Sequence, residues 1–118
     1  MLCVRADRDR GGFANVEAIC ATPGLDGVYV GPADLSLTLG FEGFADLASR
    51  EMLDALDRVV AAASAQDVVP GVHAPSIERA VELARRGFRF VGSAGDTELL
   101  RAGAAEASNA PAPDARAG

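Results

Sequence analysis

Short apolar runs alternate with longer stretches of helical periodicity along this chain. The runs are rich in β-branched and aromatic residues and are bounded by turn formers, which is typical of buried strands. They predict strands at residues 1–4, 26–30, 68–73 and 88–91. Proline cannot donate a hydrogen bond to a sheet, so Pro70 should confine the paired part of the third strand to residues 71–74.

Apolar residues recurring every three to four positions predict the helices. We expect a short helix at 13–20, a long one at 44–66, one between a Ser76 cap and a Gly87 stop, and a last one at 97–108. The buried stripe of the long helix should comprise Met52, Leu53, Leu56, Val59, Val60 and Ala63, and that of the third helix Ile77, Ala80, Val81 and Ala84. Residues 31–40 read as a long loop, which hints at function.

Strands and helices thus alternate, which predicts an α/β fold with a parallel sheet and outer helices. The chain has 118 residues, and a complete (β/α)8 barrel needs about 200 or more, so we expect about three and a half βα units. Residues 1–108 should form this single domain. Residues 109–118, rich in Ala and Pro, should be a disordered tail.

Composition excludes several classes of function. The net charge is −6 without a basic cluster, so no nucleic-acid partner is expected. No apolar run approaches the ~20 residues of a membrane span, and the first residues lack a signal-peptide core. Cys3 and Cys20 make no disulfide framework and have no metal-ligand spacing. Together with the lack of a signal peptide, this predicts reduced thiols and a cytoplasmic location.

One polar feature follows the second strand directly. Gly31 permits a sharp turn or close approach of a ligand, and Pro32 lacks an N–H. The N–H groups of Ala33 and Asp34 can then point outward beside the Asp34 carboxylate, which suits a metal and an anionic substrate together. The alternative is a strand followed by a solvated loop with an Asp turn.

The string Gly24-Leu-Asp-Gly-Val-Tyr-Val-Gly-Pro-Ala-Asp-Leu-Ser36 resembles the signature of the HpcH/HpaI aldolase family. These enzymes are metal-dependent lyases of 4-hydroxy-2-oxo acids, and 4-hydroxy-2-oxoheptanedioate aldolase is the best known activity. The resemblance covers about residues 10–102 and includes the strings Asn15-Val-Glu-Ala-Ile19, Ala21-Thr-Pro-Gly24, Val69-Pro-Gly-Val72, Gly87-Phe-Arg-Phe-Val91 and Gly95-Asp-Thr-Glu-Leu-Leu100. It implies the last three to four βα units of a TIM barrel.

The resemblance also implies roles for the residues after the second strand. Asp34 would be a ligand of Mg²⁺, Mn²⁺ or Co²⁺, and the metal would polarise the keto oxygen of a pyruvate unit. The N–H groups of Ala33 and Asp34 would hold the pyruvate carboxylate, while Gly31 and Pro32 shape its approach. No residue of this chain is assigned as the acid or base.

The family's second metal ligand is a glutamate ahead of Asn15, and counting back without gaps puts that position on Arg8. Asp7 or Asp9 could substitute only after a shift of register. One carboxylate seldom holds a divalent ion tightly, so we expect weak metal binding by this chain alone.

Other polar residues have simpler interpretations. His73 is the only histidine and is more simply a packed or rim-lining ring than an acid or base. Asp96 is expected to cap the last helix. Ser93 and Gly95 resemble an anion site after a late strand, with unspecific spacing.

Two functions therefore stay open. The chain is either a truncated metal-dependent aldehyde-lyase acting on 2-oxo acids, or a non-catalytic fragment or assembly partner with the same fold. A generic α/β binding domain is a third reading, based on fold analogy. Family members form hexamers through their last helices, and a half-barrel has open edges, so Leu99, Leu100 and these edges predict a homo-oligomer.

Overall fold

The computed structural model describes residues 2–3, 11–41, 48–93 and 95–109. The strands are β1 (Leu2–Cys3), β2 (Gly27–Val30), β3 (Val69–Ala74) and β4 (Phe90–Ser93). The helices are α1 (Gly11–Ala14), α2 (Val16–Cys20), α3 (Pro32–Leu39), α4 (Arg50–Ala65), α5 (Ile77–Arg85) and α6 (Asp96–Asn109).

The sheet has the order β1-β2-β3-β4, and every pairing is parallel. The alternating strands and helices predicted from the sequence are thereby confirmed, as a segment of a (β/α) barrel. The fourth strand begins at Phe90 rather than at Phe88, which lies buried just before it.

The prediction that pairing of β3 starts only at Gly71 is wrong. Val69 and Pro70 pair with β2, and the Val69 N–H donates to the Asp26 carbonyl at 3.0 Å. Because N–H groups alternate in direction along a strand, the missing N–H of Pro70 would face the β4 side, where pairing begins only at Gly71. Its carbonyl still accepts from Arg89 at 2.9 Å, so the proline breaks no ladder bond.

The hydrophobic core lies between one face of the sheet and the helices. From β2 and β3, Val28, Val30, Val72 and Ala74 are buried there. Most of the stripe predicted for α4 packs against them: Met52, Leu56, Val59 and Ala63 are buried, and Val60 packs partly buried against the cluster. Leu53 is only half-buried and is not part of this cluster. Ser49 caps α4 through an oxygen that accepts from Met52 N at 3.2 Å, and the predicted start at residue 44 lies outside the described residues.

The stripe predicted for α5 is wrong in part. Ile77 and Val81 are 66% and 46% exposed, Ala84 is also exposed, and Leu83 is the buried residue. The helix carries apolar residues on two sides, and packing on the sheet turns the side that carries Leu83 inward. The predicted ends hold, because the Ser76 oxygen accepts from Arg79 N at 3.3 Å and Gly87 follows the helix with φ +113°.

Two further local predictions need correction. The helix expected at 13–20 is divided into α1 and α2 at Asn15. The expected loop at 31–40 is largely the helix α3, because Pro32 is preorganised for the first helical position and Gly40 adopts the left-handed conformation that ends a helix. The tail predicted for 109–118 starts one residue too early, because Asn109 is the last residue of α6, and its remainder lies outside the described residues.

The second face of the sheet has a different composition, and we call it the open face. It comprises Tyr29, Val69, Gly71, His73, Phe90 and Gly92, which alternate with the core residues along their strands. The rings of Tyr29 and Phe90 meet edge to face over Gly71, with centroids 5.8 Å apart. A groove of about 240 Å³ runs along this face, and Phe90 remains 51% exposed.

Candidate active site at the carboxyl edge of the sheet

Parallel strands end at one edge, so β2, β3 and β4 deliver the polar candidates to the same rim. Helix α3 starts directly after β2, and α6 starts three residues after β4. The rim therefore receives the residues around Asp34 from one strand and those around Ser93 from another.

The Asp34 side chain turns back toward the end of β2. A methyl group placed on Gly31 would lie only 3.0 Å from Asp34 Oδ2, so the carboxylate rests against the glycine Cα. Asp34 is the third residue of α3 and is exposed to solvent. A side chain at position 31 would push the carboxylate off this edge.

The amides beside this carboxylate belong to the first turn of α3. The Leu35 N–H is the first to close a helical bond, to the Gly31 carbonyl at 2.9 Å. The N–H groups of Ala33 and Asp34 precede it and have no carbonyl partner within the helix, while Pro32 has no N–H. The partial positive charge of the helix start therefore lies next to the Asp34 carboxylate.

Two hydroxyls hold this turn in place and were missed by the sequence reasoning. Ser36 Oγ donates to the Ala33 carbonyl at 2.8 Å, and Thr38 Oγ1 donates to the Asp34 carbonyl at 2.9 Å. Both residues are buried, although polar. The signal was available, because Ser and Thr three or four residues after a helix start can bond back to its carbonyls.

His73 lies on the open face, half-buried, on the strand next to β2. Its Nδ1 and the Tyr29 hydroxyl both border Gly92, at 3.7 and 2.5 Å from a methyl group placed there. Gly92 thus makes room for the tyrosine, and His73 lies on the open face below the rim. Its role in acid–base chemistry stays untested.

The third strand end contributes Ser93 and Asp96. The Ser93 hydroxyl oxygen is buried and finds no hydrogen-bond partner among the described residues. Asp96 is the first residue of α6 rather than the residue before it, and its Oδ1 accepts from the adjacent Thr97 N–H at 2.8 Å. An N-cap residue accepts from the second or third helical N–H, so the predicted cap is not the contact that forms. The anion site predicted around Ser93 and Gly95 stays a prediction.

Asp34 is the metal ligand that the resemblance implies at this rim. Among the described residues no group of three or more His, Cys, Asp or Glu side chains could hold a metal ion. Asp34 fits as a single oxygen ligand of an open site. The positions of Asp7, Arg8 and Asp9, on which the second ligand was considered, lie outside the described residues.

A bidentate ion pair joins α2 to α4. Arg58 donates through Nε and Nη2 to the two Glu17 carboxylate oxygens, at 2.8 Å each, and stacks 4.7 Å from the Phe13 ring centre. This hydrogen bond lowers the pKa of the Glu17 carboxyl. Burial raises the pKa of the Cys20 thiol, as expected for a packed rather than reactive cysteine.

In the part of the chain that the structure describes, none of the helices has the length and apolar character needed to span a bilayer.

The chain is similar to a known family along most of its length. Residues 10–102 match the family described as HpcH/HpaI aldolase/citrate lyase. A hydroxypyruvate/pyruvate aldolase from Paraburkholderia phytofirmans is 39% identical over 92 residues, which are 77% of this chain and 35% of that protein. A 4-hydroxy-2-oxovalerate aldolase from Rhodococcus jostii is 43% identical over 92 residues, covering 75% of this chain and 33% of that protein.

A solved structure supports the same relation. The HpcH/HpaI aldolase/citrate lyase family protein from Burkholderia cenocepacia matches with a TM-score of 0.78 and 32% identity, over 90% of this chain and 39% of that one. The chain thus spans little more than a third of the length of the relatives it matches.

Proposed function

Because this chain belongs to the HpcH/HpaI aldolase/citrate lyase family, we propose that it forms the carboxylate-and-amide part of an aldolase site. The reaction is the cleavage of a 4-hydroxy-2-oxo acid to pyruvate and an aldehyde. One observation carries the proposal: the Asp34 carboxylate folds over Gly31, next to the first amides of α3.

The amides would bind the carboxylate of the 2-oxo acid. Two neighbouring N–H donors at the positive end of a helix match the two oxygens of a carboxylate. The absence of a side chain at Gly31 leaves room for the substrate, and the hydroxyls of buried Ser36 and Thr38 bond to the carbonyls of this turn. The 2-oxo group then lies beside Asp34.

A divalent cation such as Mg²⁺, Mn²⁺ or Co²⁺ would supply Lewis-acid polarisation of the 2-oxo group, with Asp34 as one ligand. The described residues do not complete a set of three or more ligands around it. Metal binding by the chain alone is accordingly proposed to be weak.

Pyruvate release from a 4-hydroxy-2-oxo acid, coupled to lactate dehydrogenase, tests the proposal with each of the three metals. Asp34→Asn should abolish metal-dependent release, whereas Asp54→Asn, a change at an exposed aspartate on α4, should leave it unchanged. Calorimetry with Mn²⁺ gives a separate readout. Equal rates for both variants would refute the role of Asp34.

The alternative is a non-catalytic fragment or assembly partner. Two observations favour it: the described residues hold no group of three or more possible metal ligands, and the chain spans about a third of the length of the relatives. Adding a separately produced amino-terminal half of a relative's barrel distinguishes the two. Activity that appears only in the mixture supports an assembly partner, and activity of the chain alone contradicts it.

We also propose that the chain works as a homo-oligomer in the cytoplasm. In the described residues β1 and β4 are each paired on one side only, and open edges of this kind favour association. The free and buried Cys20 suits a reducing compartment. Light scattering and cell fractionation test these two statements, and a clean monomer of 12.1 kDa contradicts the first.

A further inference from the structure

Ser36 is a polar residue at a position where alanine would favour the helix more. It lies in α3 with 2% of its surface exposed. Serine is a poorer helix former than alanine, and a hydroxyl that bonds back to its own helix adds no stability to it. In the described part of the chain this hydroxyl donates to the Ala33 carbonyl, at 2.8 Å. The reason for a hydroxyl here is therefore to be sought in the peptide group that it contacts.

That peptide group carries one of the amides at the rim. The Ala33 carbonyl and the Asp34 N–H belong to the same planar unit, whose atoms are coupled by resonance. A hydrogen bond donated to the carbonyl polarises the whole unit, and such polarisation strengthens the next bond by about 10–30%. The Asp34 N–H precedes the first helical hydrogen bond, which starts from Leu35, so its donor strength is available to a ligand.

We propose that Ser36 acts as a positioning residue for the substrate carboxylate, through the peptide group that joins Ala33 to Asp34. Its hydroxyl makes the Asp34 N–H a stronger donor to that carboxylate. This role rests on the proposed aldolase function. Donor strength matters at this rim because the Asp34 carboxylate lies over Gly31, beside the same amides, and repels a second carboxylate. A stronger amide donor offsets part of this repulsion.

Thr38 provides an internal comparison in the same helix. It is also buried, and its Oγ1 donates to the Asp34 carbonyl at 2.9 Å. This carbonyl shares its peptide group with the Leu35 N–H, which already donates to the Gly31 carbonyl at 2.9 Å. Thr38 therefore polarises a bond within the helix, whereas Ser36 polarises an amide that has no carbonyl partner there. The pair separates polarisation of the substrate amide from support of the turn.

Proton–nitrogen correlation NMR on the full chain, titrated with pyruvate in the presence of Mg²⁺, tests the role. Without pyruvate, Ser36→Ala should move the Asp34 amide nitrogen signal, because that signal responds to hydrogen bonding at the preceding carbonyl. The pyruvate dissociation constant, read from the α3 amides, should rise about two- to fourfold. Thr38→Val should raise it less. Ser108→Ala, which removes a 2.8 Å bond to the Ala104 carbonyl on exposed α6, should leave it unchanged.

The pyruvate-release assay gives a second readout. The substrate carboxylate is bound alike in the ground state and the transition state, so Ser36→Ala should raise KM about two- to fourfold and leave kcat nearly unchanged. A variant that only lost folded protein would show the opposite pattern, with a lower apparent kcat and the parent KM. Circular dichroism measures the folded fraction of each variant.

The possible results separate this role from the proposed function. Equal rises in the dissociation constant for Ser36→Ala and Thr38→Val overturn the role of the amide, because support of the turn would then explain both. Parent-like pyruvate affinity in Ser36→Ala overturns the role of Ser36 and leaves the proposed aldolase site intact. Parent α3 amides that do not respond to pyruvate overturn the carboxylate site itself, and the role of Ser36 with it.

Discussion

Replacing Gly71 by alanine should destabilise the fold although it adds only one methyl group. The new Cβ would lie 2.8 Å from Tyr29 Cδ2, 3.2 Å from Phe90 Cδ1 and 3.1 Å from the Val28 carbonyl oxygen. One of these neighbours is backbone, and the tyrosine is placed with its hydroxyl against Gly92, so a shift of the ring would disturb that contact as well. Extra volume in such a place costs about 1–3 kcal/mol.

The matched control is Gly103→Ala in α6. A Cβ at Gly103 meets nothing within 4 Å, and the residue is an exposed helical position. Alanine in a helix interior is about 0.5–1 kcal/mol more favourable than glycine, so this variant should be slightly more stable than the parent. The same chemical change therefore has opposite signs at the two positions.

Urea unfolding followed by circular dichroism, at one protein concentration, gives the free energy of unfolding for each variant. At about 2 kcal/mol, the loss for Gly71→Ala corresponds to roughly a thirtyfold change in the unfolding equilibrium. A double-mutant cycle with Tyr29→Ala isolates the crowding, because the penalty at position 71 should shrink when the ring is removed. Parent-like stability of Gly71→Ala, or a penalty that is unchanged without the ring, would refute the reasoning.

Three further outcomes follow from the core, the helix ties and the caps. Leu56→Ala removes a fully buried side chain and should cost about 2–5 kcal/mol in urea unfolding, whereas Leu100→Ala on exposed α6 should change stability by less than about 0.5 kcal/mol; equal losses would contradict the assigned core. The hydrogen bond from Arg58 lowers the pKa of Glu17 below 4.5, so its contribution is present above the unfolded-state pKa and is lost as the pH falls through the folded-state pKa. Glu17→Gln should thus unfold more easily than the parent near neutral pH and equally easily at pH well below 4.5, and a difference that persists in acid would argue against the ion pair. Ser76→Ala should cost about 0.5–2 kcal/mol through the lost cap of α5, and an unchanged urea midpoint would show that the cap contributes nothing.

The candidate site was predictable only in its local part. The Gly31-Pro32 turn, the outward amides and the Asp34 carboxylate occupy four consecutive residues, so their chemistry is readable along the chain. The direction of the carboxylate was not readable, because it depends on α3 forming where a loop was expected. A proline at the first helical position and a glycine at the end were the signals of that helix.

Which side of a helix is buried was predicted largely correctly for α4 and only in part for α5. In α4 the apolar residues form one stripe, and the structure buries four of its six residues. In α5 apolar residues occur on two sides, and contact with the sheet selects Leu83 over Ile77 and Val81. The bidentate pairing of Glu17 with Arg58 joins residues 41 positions apart and has no sequence signal at all.

The amino-acid sequence alone was sufficient to predict the alternation of strands and helices, the parallel direction of the sheet and the position of the Asp34 turn after β2. Each of these depends on propensity, periodicity and turn chemistry within a few neighbouring residues. Folding in three dimensions alone determined which side of α5 is buried, how the carboxylate rests on Gly31, and that Tyr29 and Phe90 meet over Gly71 on an open face. These features arise from contacts between segments far apart in the chain, whose energies are absent until the sheet brings the segments together.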